Sequence, residues 1–145
     1  MDAAVDDERR FGGLRRLYGD AGYERIRAAT VAVVGLGGVG SWAAEAFVRS
    51  GVAAIVLVDL DHVAESNVNR QLQALTSTLG AAKAAALAAR FADIHAGCRV
   101  WPVEEFVAPG NWPGLLPVPV DGVVDACDQV AAKATLASWS AAARV

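Results

Sequence analysis

Four polar side chains of this sequence carry the groups that an enzyme needs to handle a triphosphate; they are Asn67, Arg70, Lys83 and Asp128. Arg70 offers a planar fork of donors for phosphate oxygens, and the Asn67 amide can donate to a phosphate or to the reacting oxygen. Lys83 starts an alanine-rich helical pattern and can reach back toward phosphate, although a lysine on such a helix is more often only solvated. Asp128 ends an apolar run, where a carboxylate facing a triphosphate is a natural Mg²⁺ ligand.

A glycine cluster supplies the place where phosphate would lie. The stretch from Val31 to Ser41 has the pattern of a buried strand, a tight turn and a helix start. Glycines in the spacing G-x-G-x-x-G allow the turn, the approach of phosphate to the backbone, and close packing of helix on strand. The helix start then presents unpaired N–H groups to an anion. The residues of this motif are Gly35, Gly37, Gly38, Gly40 and Ser41.

Acidic and amide residues follow the next predicted strand. Asp59 ends that strand about 20 residues after the glycines, where an acidic side chain reaches a ribose diol. The structural alternative for Asp59 is a turn or helix cap. The polar segment that follows, from Asp61 through Gln71, makes sense if it meets a charged group. NAD carries only a pyrophosphate and needs no metal, so these residues favour ATP with Mg²⁺.

Hydrophobic periodicity gives the elements that must position these residues. The pattern predicts strands at 30–34, 54–58, 99–103 and 122–128, and long helices at 41–49, 81–94 and 130–143. Their alternation predicts an α/β fold: a Rossmann-like, doubly wound, mainly parallel sheet in the order 3-2-1-4 with helices on both faces. Residues 1–8 are expected to be a disordered lead, 9–29 a helical segment broken near Gly19 and Gly22, and 30–145 the nucleotide-binding domain.

The chain stops one helix after the fourth predicted strand. A doubly wound nucleotide fold normally continues to further strands, and without them the fourth strand keeps an open edge. The sequence therefore predicts either a truncated piece of a larger domain, with the domain at 30–145 incomplete, or a partner that completes the sheet.

Composition limits the remaining classes. The 145 residues carry a net charge of -3, which argues against a generally basic nucleic-acid binder. The acidic N-terminus lacks a signal-peptide pattern, and the glycines of the uncharged run 28–44 argue against a membrane span, so a cytoplasmic protein is expected. Cys98 and Cys127 form no C-x-x-C pair, and neither is assigned a nucleophilic role.

Six early arginines form either a solvated helical face or a phosphate- or RNA-facing patch; they are Arg9, Arg10, Arg15, Arg16, Arg25 and Arg27.

Taken together, the motifs resemble those of the E1-like adenylating enzymes, which include ubiquitin-activating enzymes and the bacterial activators of sulfur-carrier proteins. The matching pieces occur in the family's order and are Gly35–Ser41, Asp59–Asp61, Ser66–Gln71, Leu79–Lys83 and Asp125–Asp128. Within the family, Arg10–Gly19 and Asp128–Lys133 resemble the branch that cyclises threonylcarbamoyladenosine in tRNA.

The resemblance implies a role for each matched position. The resemblance implies that Asp59 binds ribose and that Asp128 holds Mg²⁺. It also implies that ATP phosphates are held by Asn67, Arg70 and Lys83. The predicted cofactor-binding residues are Gly35, Gly37, Gly38, Gly40, Ser41, Asp59, Asp61, Asn67, Arg70, Gln71 and Lys83. The predicted catalytic residues are Arg70, Lys83 and Asp128.

Partners also follow from the resemblance. They are a tRNA carrying threonylcarbamoyladenosine, a second copy of the chain and a sulfur-transfer protein, with no membrane. The sulfur-carrier activators use an N-terminal arginine that reaches ATP across a dimer. The position of that arginine corresponds to about Gly13 in this sequence. If an arginine reaches ATP across a dimer here, it is therefore Arg10, Arg15 or Arg16.

The expected activity is ATP-dependent adenylation of the threonylcarbamoyl carboxylate, followed by its cyclisation. Three alternatives stay open at this point. One is adenylation of the C-terminus of a ubiquitin-like carrier protein. The others are a NAD-binding oxidoreductase domain and a non-catalytic nucleotide-binding remnant.

Overall fold

A four-stranded parallel sheet in the order β3-β2-β1-β4 forms the centre of the computed structural model, which describes residues 5–145. The strands are β1 Thr30–Val34, β2 Ala54–Val58, β3 Arg99–Val103 and β4 Gly122–Asp125. The helices are α1 Asp7–Phe11, α2 Arg15–Ala28, α3 Gly40–Arg49, α4 Lys83–Ile94 and α5 Val130–Ala143. The predicted fold class and strand order are confirmed.

Most predicted bounds of the strands and long helices agree with the structure to within one residue, and two differ by more. The fourth strand ends at Asp125 instead of Asp128, because the Asp125 carboxylate accepts a hydrogen bond from the Cys127 N–H at 3.2 Å and turns the chain off the ladder. Helix α4 begins at Lys83 instead of residue 81, since the Lys83 N–H donates to the Asp61 carbonyl at 3.0 Å. Asp128 therefore lies in the loop between β4 and α5.

The N-terminal segment is helical from Asp7 onward. The Asp6 carboxylate caps α1 by accepting the Arg9 N–H at 3.0 Å, so Asp7 and Glu8 do not belong to a disordered lead. Residues 1–4 of that expected lead lie outside the described residues. Gly19 takes φ 68° inside α2 and kinks it, as the glycine at that position predicts.

Two apolar layers flank the sheet, because β1 and β2 are buried on both faces. On one face Leu87 and Phe91 of α4 pack with α3 against the sheet. On the other, Leu136 of α5 and Trp112 of the loop between β3 and β4 do the same. Full burial of each such side chain contributes about 1.5–3 kcal/mol.

The uncharged run 28–44 is the β1–turn–α3 unit, as its glycines predict. In the part of the chain that the structure describes, no helix combines the length and apolar character needed to cross a membrane. Strand β4 pairs with β1 alone among residues 5–145, so its outer edge is open there.

Candidate functional site

A cleft of about 640 Å³ opens at the carboxyl ends of the strands, next to the glycine turn. The strand order reverses between β1 and β4, and such switch points are where ligands bind in open α/β sheets. The residues that line it are Gly35, Gly37, Gly38, Val39, Val58, Asp59, Asp61, Asn67, Arg70, Gln71, Lys83, Glu105, Phe106, Val107, Ala126, Cys127, Asp128, Gln129 and Ala132. The structure thus brings together nine of the eleven predicted cofactor-binding residues.

The glycine turn, residues 35–38, is shaped by close backbone contacts. Gly35 has φ 87°, and a side chain there would meet the Ala126 carbonyl. A Cβ at Gly40 would collide with the Gly35 carbonyl oxygen, so Gly40 serves packing of α3 against the turn. The N–H groups of Gly37 and Gly38 donate no hydrogen bond within residues 5–145. They are available to an anion at the start of α3.

Ser41 does not line the cleft, contrary to the prediction that it contacts the cofactor. Its side chain is fully buried behind the turn, where Oγ donates to the Gly37 carbonyl at 2.6 Å and accepts the Leu72 N–H at 3.3 Å. Because Ser41 is the second residue of α3, its hydroxyl can fold back onto the carbonyl four residues earlier. Gly40 is also absent from the lining, and both residues support the turn from behind.

Asp59 connects the turn to the polar segment that follows β2. Its Oδ2 accepts the Leu36 N–H at 2.7 Å and its Oδ1 accepts the Asp61 N–H at 2.8 Å, with 7% of the residue exposed. Each carboxylate oxygen has a second lone pair, which leaves acceptor capacity for a ribose hydroxyl. Asp59 therefore has a structural function in addition to the binding function predicted for it.

Arg70 and Asn67 lie on the segment that forms the opposite wall of the cleft. The Arg70 side chain crosses the turn so closely that a Cβ at Gly38 would be 3.2 Å from its Cγ. Arg70 Nη1 donates to the Ser66 carbonyl at 3.1 Å and to Asn69 Oδ1 at 3.0 Å. Asn67 Oδ1 accepts the Ala64 N–H at 2.9 Å, which caps a short 3₁₀ turn. A guanidinium over glycine N–H groups creates a positive wall.

Lys83 is buried, with 6% of the residue exposed, although it carries a charge. Its Nζ lies 3.5 Å from Asp61 Oδ2, a loose ion pair, and the residue lines the cleft. A buried ammonium needs more compensation than one loose contact gives. The geometry therefore favours an anionic ligand near Lys83 over the solvated-lysine alternative.

Asp128 and Asp125 have different surroundings. Asp128 lines the cleft, whereas both Asp125 oxygens lie 3.1 Å from Lys133 Nζ. Burial opposes ionisation of Asp125, but hydrogen bonds from Cys127 and Lys133 outweigh it and lower its pKa. Across residues 5–145 no three Asp, Glu, His or Cys side chains cluster as a metal site. Mg²⁺ commonly takes one or two carboxylates plus phosphate oxygens, so Asp128 alone fits a nucleotide-borne ion.

Sequence reasoning missed part of the cleft wall. Glu105, Phe106 and Val107 follow β3, and Cys127 and Gln129 flank Asp128. Their positions just past strand ends are the signal that could have identified them. Burial first, and then Asp125, raise the pKa of the Cys127 thiol, so it is a poor nucleophile at neutral pH.

The candidate arginines of the N-terminal segment differ in how far they are engaged. Arg10 donates to the Ile94 carbonyl at 2.7 Å. Arg15 pairs with Glu8 at 3.2 Å and lies 4.0 Å from the centre of the Tyr23 ring. Arg16 is exposed and makes no ion pair with the rest of residues 5–145. None of the three lines the cleft.

A parallel sheet with a glycine turn and a polar, charged cleft at its switch point defines a Rossmann-like α/β domain. The ThiF family model matches residues 11–145, and the chain belongs to the ThiF family.

Comparison with characterised proteins places the chain among one group of that family. It is 44% identical over 141 residues to tRNA threonylcarbamoyladenosine dehydratase of Escherichia coli K12, covering 96% of this chain and 53% of that protein. The Bacillus subtilis 168 protein of the same name is 46% identical over 115 residues, 79% of this chain and 45% of that protein. The crystal structure of the E. coli enzyme in complex with ATP superposes with a TM-score of 0.91 at 42% identity, covering 99% of this chain and 60% of that one. The chain spans about half the length of the curated relatives it matches.

Proposed function

We propose that this cleft binds ATP with Mg²⁺ and supports adenylation of a carboxylate. The observation that supports this proposal is a convergence on one cleft that Asp128 also lines. Arg70, Lys83 and glycine N–H groups without an acceptor among the described residues all meet there. A triphosphate needs this concentration of donors, and its bound cation needs a carboxylate. The E. coli relative with the same fold was solved in complex with ATP.

The substrate that we propose is the carboxylate of N6-threonylcarbamoyladenosine in tRNA. Relatives that are 40–46% identical are named tRNA threonylcarbamoyladenosine dehydratase. The carboxylate oxygen attacks the α-phosphorus, and pyrophosphate leaves. The carbamoyl group then attacks the acyl carbon, loses a proton, and expels AMP with the former carboxylate oxygen, so the modified base loses one water overall.

The residues contribute charge and position to this reaction. Arg70 and Lys83 offset the negative charge that develops on the phosphates, and the glycine N–H groups hold the phosphate chain in place. Asp128 would hold Mg²⁺, which neutralises phosphate charge when bound. No protein nucleophile is needed, and the raised pKa of Cys127 agrees with assigning none.

The whole protein is proposed to act as a homodimer in the cytoplasm. Arg16 is our choice for an arginine that reaches ATP of the second copy, since Arg10 and Arg15 are engaged within the fold. A sulfur-transfer protein is proposed as a further partner on the family resemblance alone.

ATP–pyrophosphate exchange tests the proposed function. Exchange that depends on tRNA carrying threonylcarbamoyladenosine is the expected result. Exchange that depends instead on a ubiquitin-like carrier protein would contradict the tRNA substrate and keep the adenylation. Tighter binding of NAD than of ATP would overturn the adenylation itself, and ATP binding without exchange under either condition would leave a non-catalytic nucleotide-binding remnant.

A further inference from the structure

Gln73 lies outside the cleft, yet it holds the glycine turn. The residue is 2% exposed, and its Nε2 donates to the Leu36 carbonyl at 2.7 Å across 37 positions of sequence. Its buried Oε1 has no hydrogen-bond partner among residues 5–145. Burying an unpaired amide oxygen destabilises a fold, so stability alone does not explain an amide at this position.

The contact with Leu36 fixes the direction of one peptide unit. The Leu36 carbonyl and the Gly37 N–H belong to the same planar trans peptide and point in opposite directions. Because Gln73 holds the carbonyl on the buried side, the Gly37 N–H is directed away from it, on the side where Gly37 lines the cleft. The preceding peptide is held by the Leu36 N–H, which donates to Asp59 at 2.7 Å.

Without the hydrogen bond from Gln73, the peptide between Leu36 and Gly37 could rotate and exchange the directions of its carbonyl and its N–H. Gly37 has no side chain to hinder rotation of the peptide before it, and glycine accepts the backbone angles on both sides of such a flip. A flipped peptide would present a carbonyl oxygen to the cleft in place of an N–H. An oxygen facing a phosphate repels it, whereas an N–H binds it.

We propose that Gln73 is a positioning residue that keeps the Gly37 N–H directed at the nucleotide phosphates. The proposal rests on the proposed function, because it assumes a phosphate-bearing nucleotide in the cleft. Gln73 is carried by the same segment as Arg70, and the Trp42 indole also fixes that segment by donating to the Arg70 carbonyl at 2.9 Å. Gln73 therefore links the segment that carries the Arg70 guanidinium to the peptide that orients the Gly37 N–H.

The test compares Gln73→Met with wild type in binding of ATP and of adenosine. Methionine has nearly the same shape but cannot donate a hydrogen bond. We expect the Kd for ATP to rise about tenfold, the loss of one charge-assisted hydrogen bond, while the Kd for adenosine changes less than about twofold. Two effects on the melting temperature oppose each other, because the unpaired Oε1 is removed while the buried Leu36 carbonyl loses its donor. The comparison of ATP with adenosine binding in the folded variant therefore decides the test.

Thr78→Val is the matched control. The Thr78 hydroxyl also donates to Gln73, but to its backbone carbonyl, and its hydrogen bonds among the described residues do not include Leu36. This variant should keep the ATP affinity even if it lowers the melting temperature. Gln73→Leu provides a second apolar replacement if the methionine variant misfolds.

Each outcome decides between the proposals. Unchanged ATP affinity in a folded Gln73→Met protein overturns the positioning role and leaves the proposed function intact. Equal losses for ATP and adenosine would indicate a merely structural role and also overturn it. Failure of the wild type to bind ATP contradicts the proposed function, and the role of Gln73 falls with it.

Discussion

The two ends of the sheet treat charge in opposite ways. At the amino ends of the strands, Arg27 donates to Asp7 and to the Gly51 carbonyl, each at 2.5 Å. The same guanidinium lies 4.8 Å from the centre of the Phe11 ring, and buried His95 packs against that ring. These contacts join α2 to α1 and to the loop between α3 and β2. We call Asp7, Phe11, Arg27, Gly51 and His95 the base cluster. Its charge is used by the fold.

The cleft at the carboxyl ends keeps its charge available. Lys83 makes one loose contact at 3.5 Å to Asp61, and two glycine N–H groups of the turn stay without an acceptor within residues 5–145. A buried cation with so little compensation is costly to the fold. An arginine whose donors make several short hydrogen bonds within the protein, such as Arg27, stabilises the fold. Donors in a cleft that have few acceptors within the protein indicate a ligand site.

The largest expected effect is on the exchange rate when Asp128 in the cleft is replaced. Asp128→Ala should reduce ATP–pyrophosphate exchange by about 100-fold or more, because a group that stabilises transition-state charge is lost. ATP binding measured by calorimetry should remain mostly intact. Asp125→Asn is the control: it weakens the pair with Lys133 outside the cleft and should keep most of the exchange rate. Retained turnover in Asp128→Ala would remove Asp128 from the metal role.

Arg27→Met should give the opposite result at the base cluster. We expect the free energy of unfolding to fall by about 2 kcal/mol, since charged hydrogen bonds from a partly buried guanidinium are lost. The Kd for ATP should not change. Urea denaturation and calorimetry measure the two quantities. Arg25 lies on the same helix, is exposed and has no ion pair inside the described range. The control Arg25→Met should therefore change neither the free energy of unfolding nor the Kd for ATP.

Lys83→Met should weaken binding without weakening the fold. The Kd for ATP should rise about tenfold, as expected for one lost contact between an ammonium and phosphate. Stability should stay level or increase, because a poorly paired buried charge is removed. Lys133→Met, which loses only its pair with Asp125, serves as the comparison for nucleotide titrations. A clear loss of stability in Lys83→Met would break the contrast between the two regions.

The smallest effect concerns pH and the base cluster. Burial first, and then the charge of Arg27, lower the pKa of His95 below its ordinary value. The unfolded chain therefore takes up the proton first, so stability is complete above pH 6.5 and decreases as the pH falls from there toward the lowered pKa. A single site of this kind contributes at most about 1.4 kcal/mol per pH unit.

Denaturation curves at pH 7.5 and 5.5 check this expectation. Wild type should be less stable at the lower pH, and His95→Gln should lose much of that difference. An equal pH dependence in both proteins would show that His95 is not the group responsible.

Local sequence signals were sufficient for the sheet. The β-branched runs of β1 and β2 and the glycine spacing after β1 predict their strands and the intervening turn, because burial on both faces imposes a continuous apolar run. Asp59 was predicted from its spacing after the glycines, and Arg70 and Lys83 from their chemistry and the family resemblance; all three line the cleft. The N-terminal helix start was missed, since an acidic segment that is capped by its own Asp6 resembles a disordered one.

What the sequence by itself determined is therefore the strands, the order of the sheet and the polar residues that follow strand ends, since these depend on local periodicity and on general rules of α/β topology. The tertiary structure alone decided which groups those residues meet. Ser41 belongs behind the turn and Gln73 holds Leu36 because packing brings together hydrogen-bond partners that lie up to 37 positions apart. Sequence spacing carries no information about such long-range partners, and it is these contacts that turn the N–H groups of the glycine turn toward the cleft.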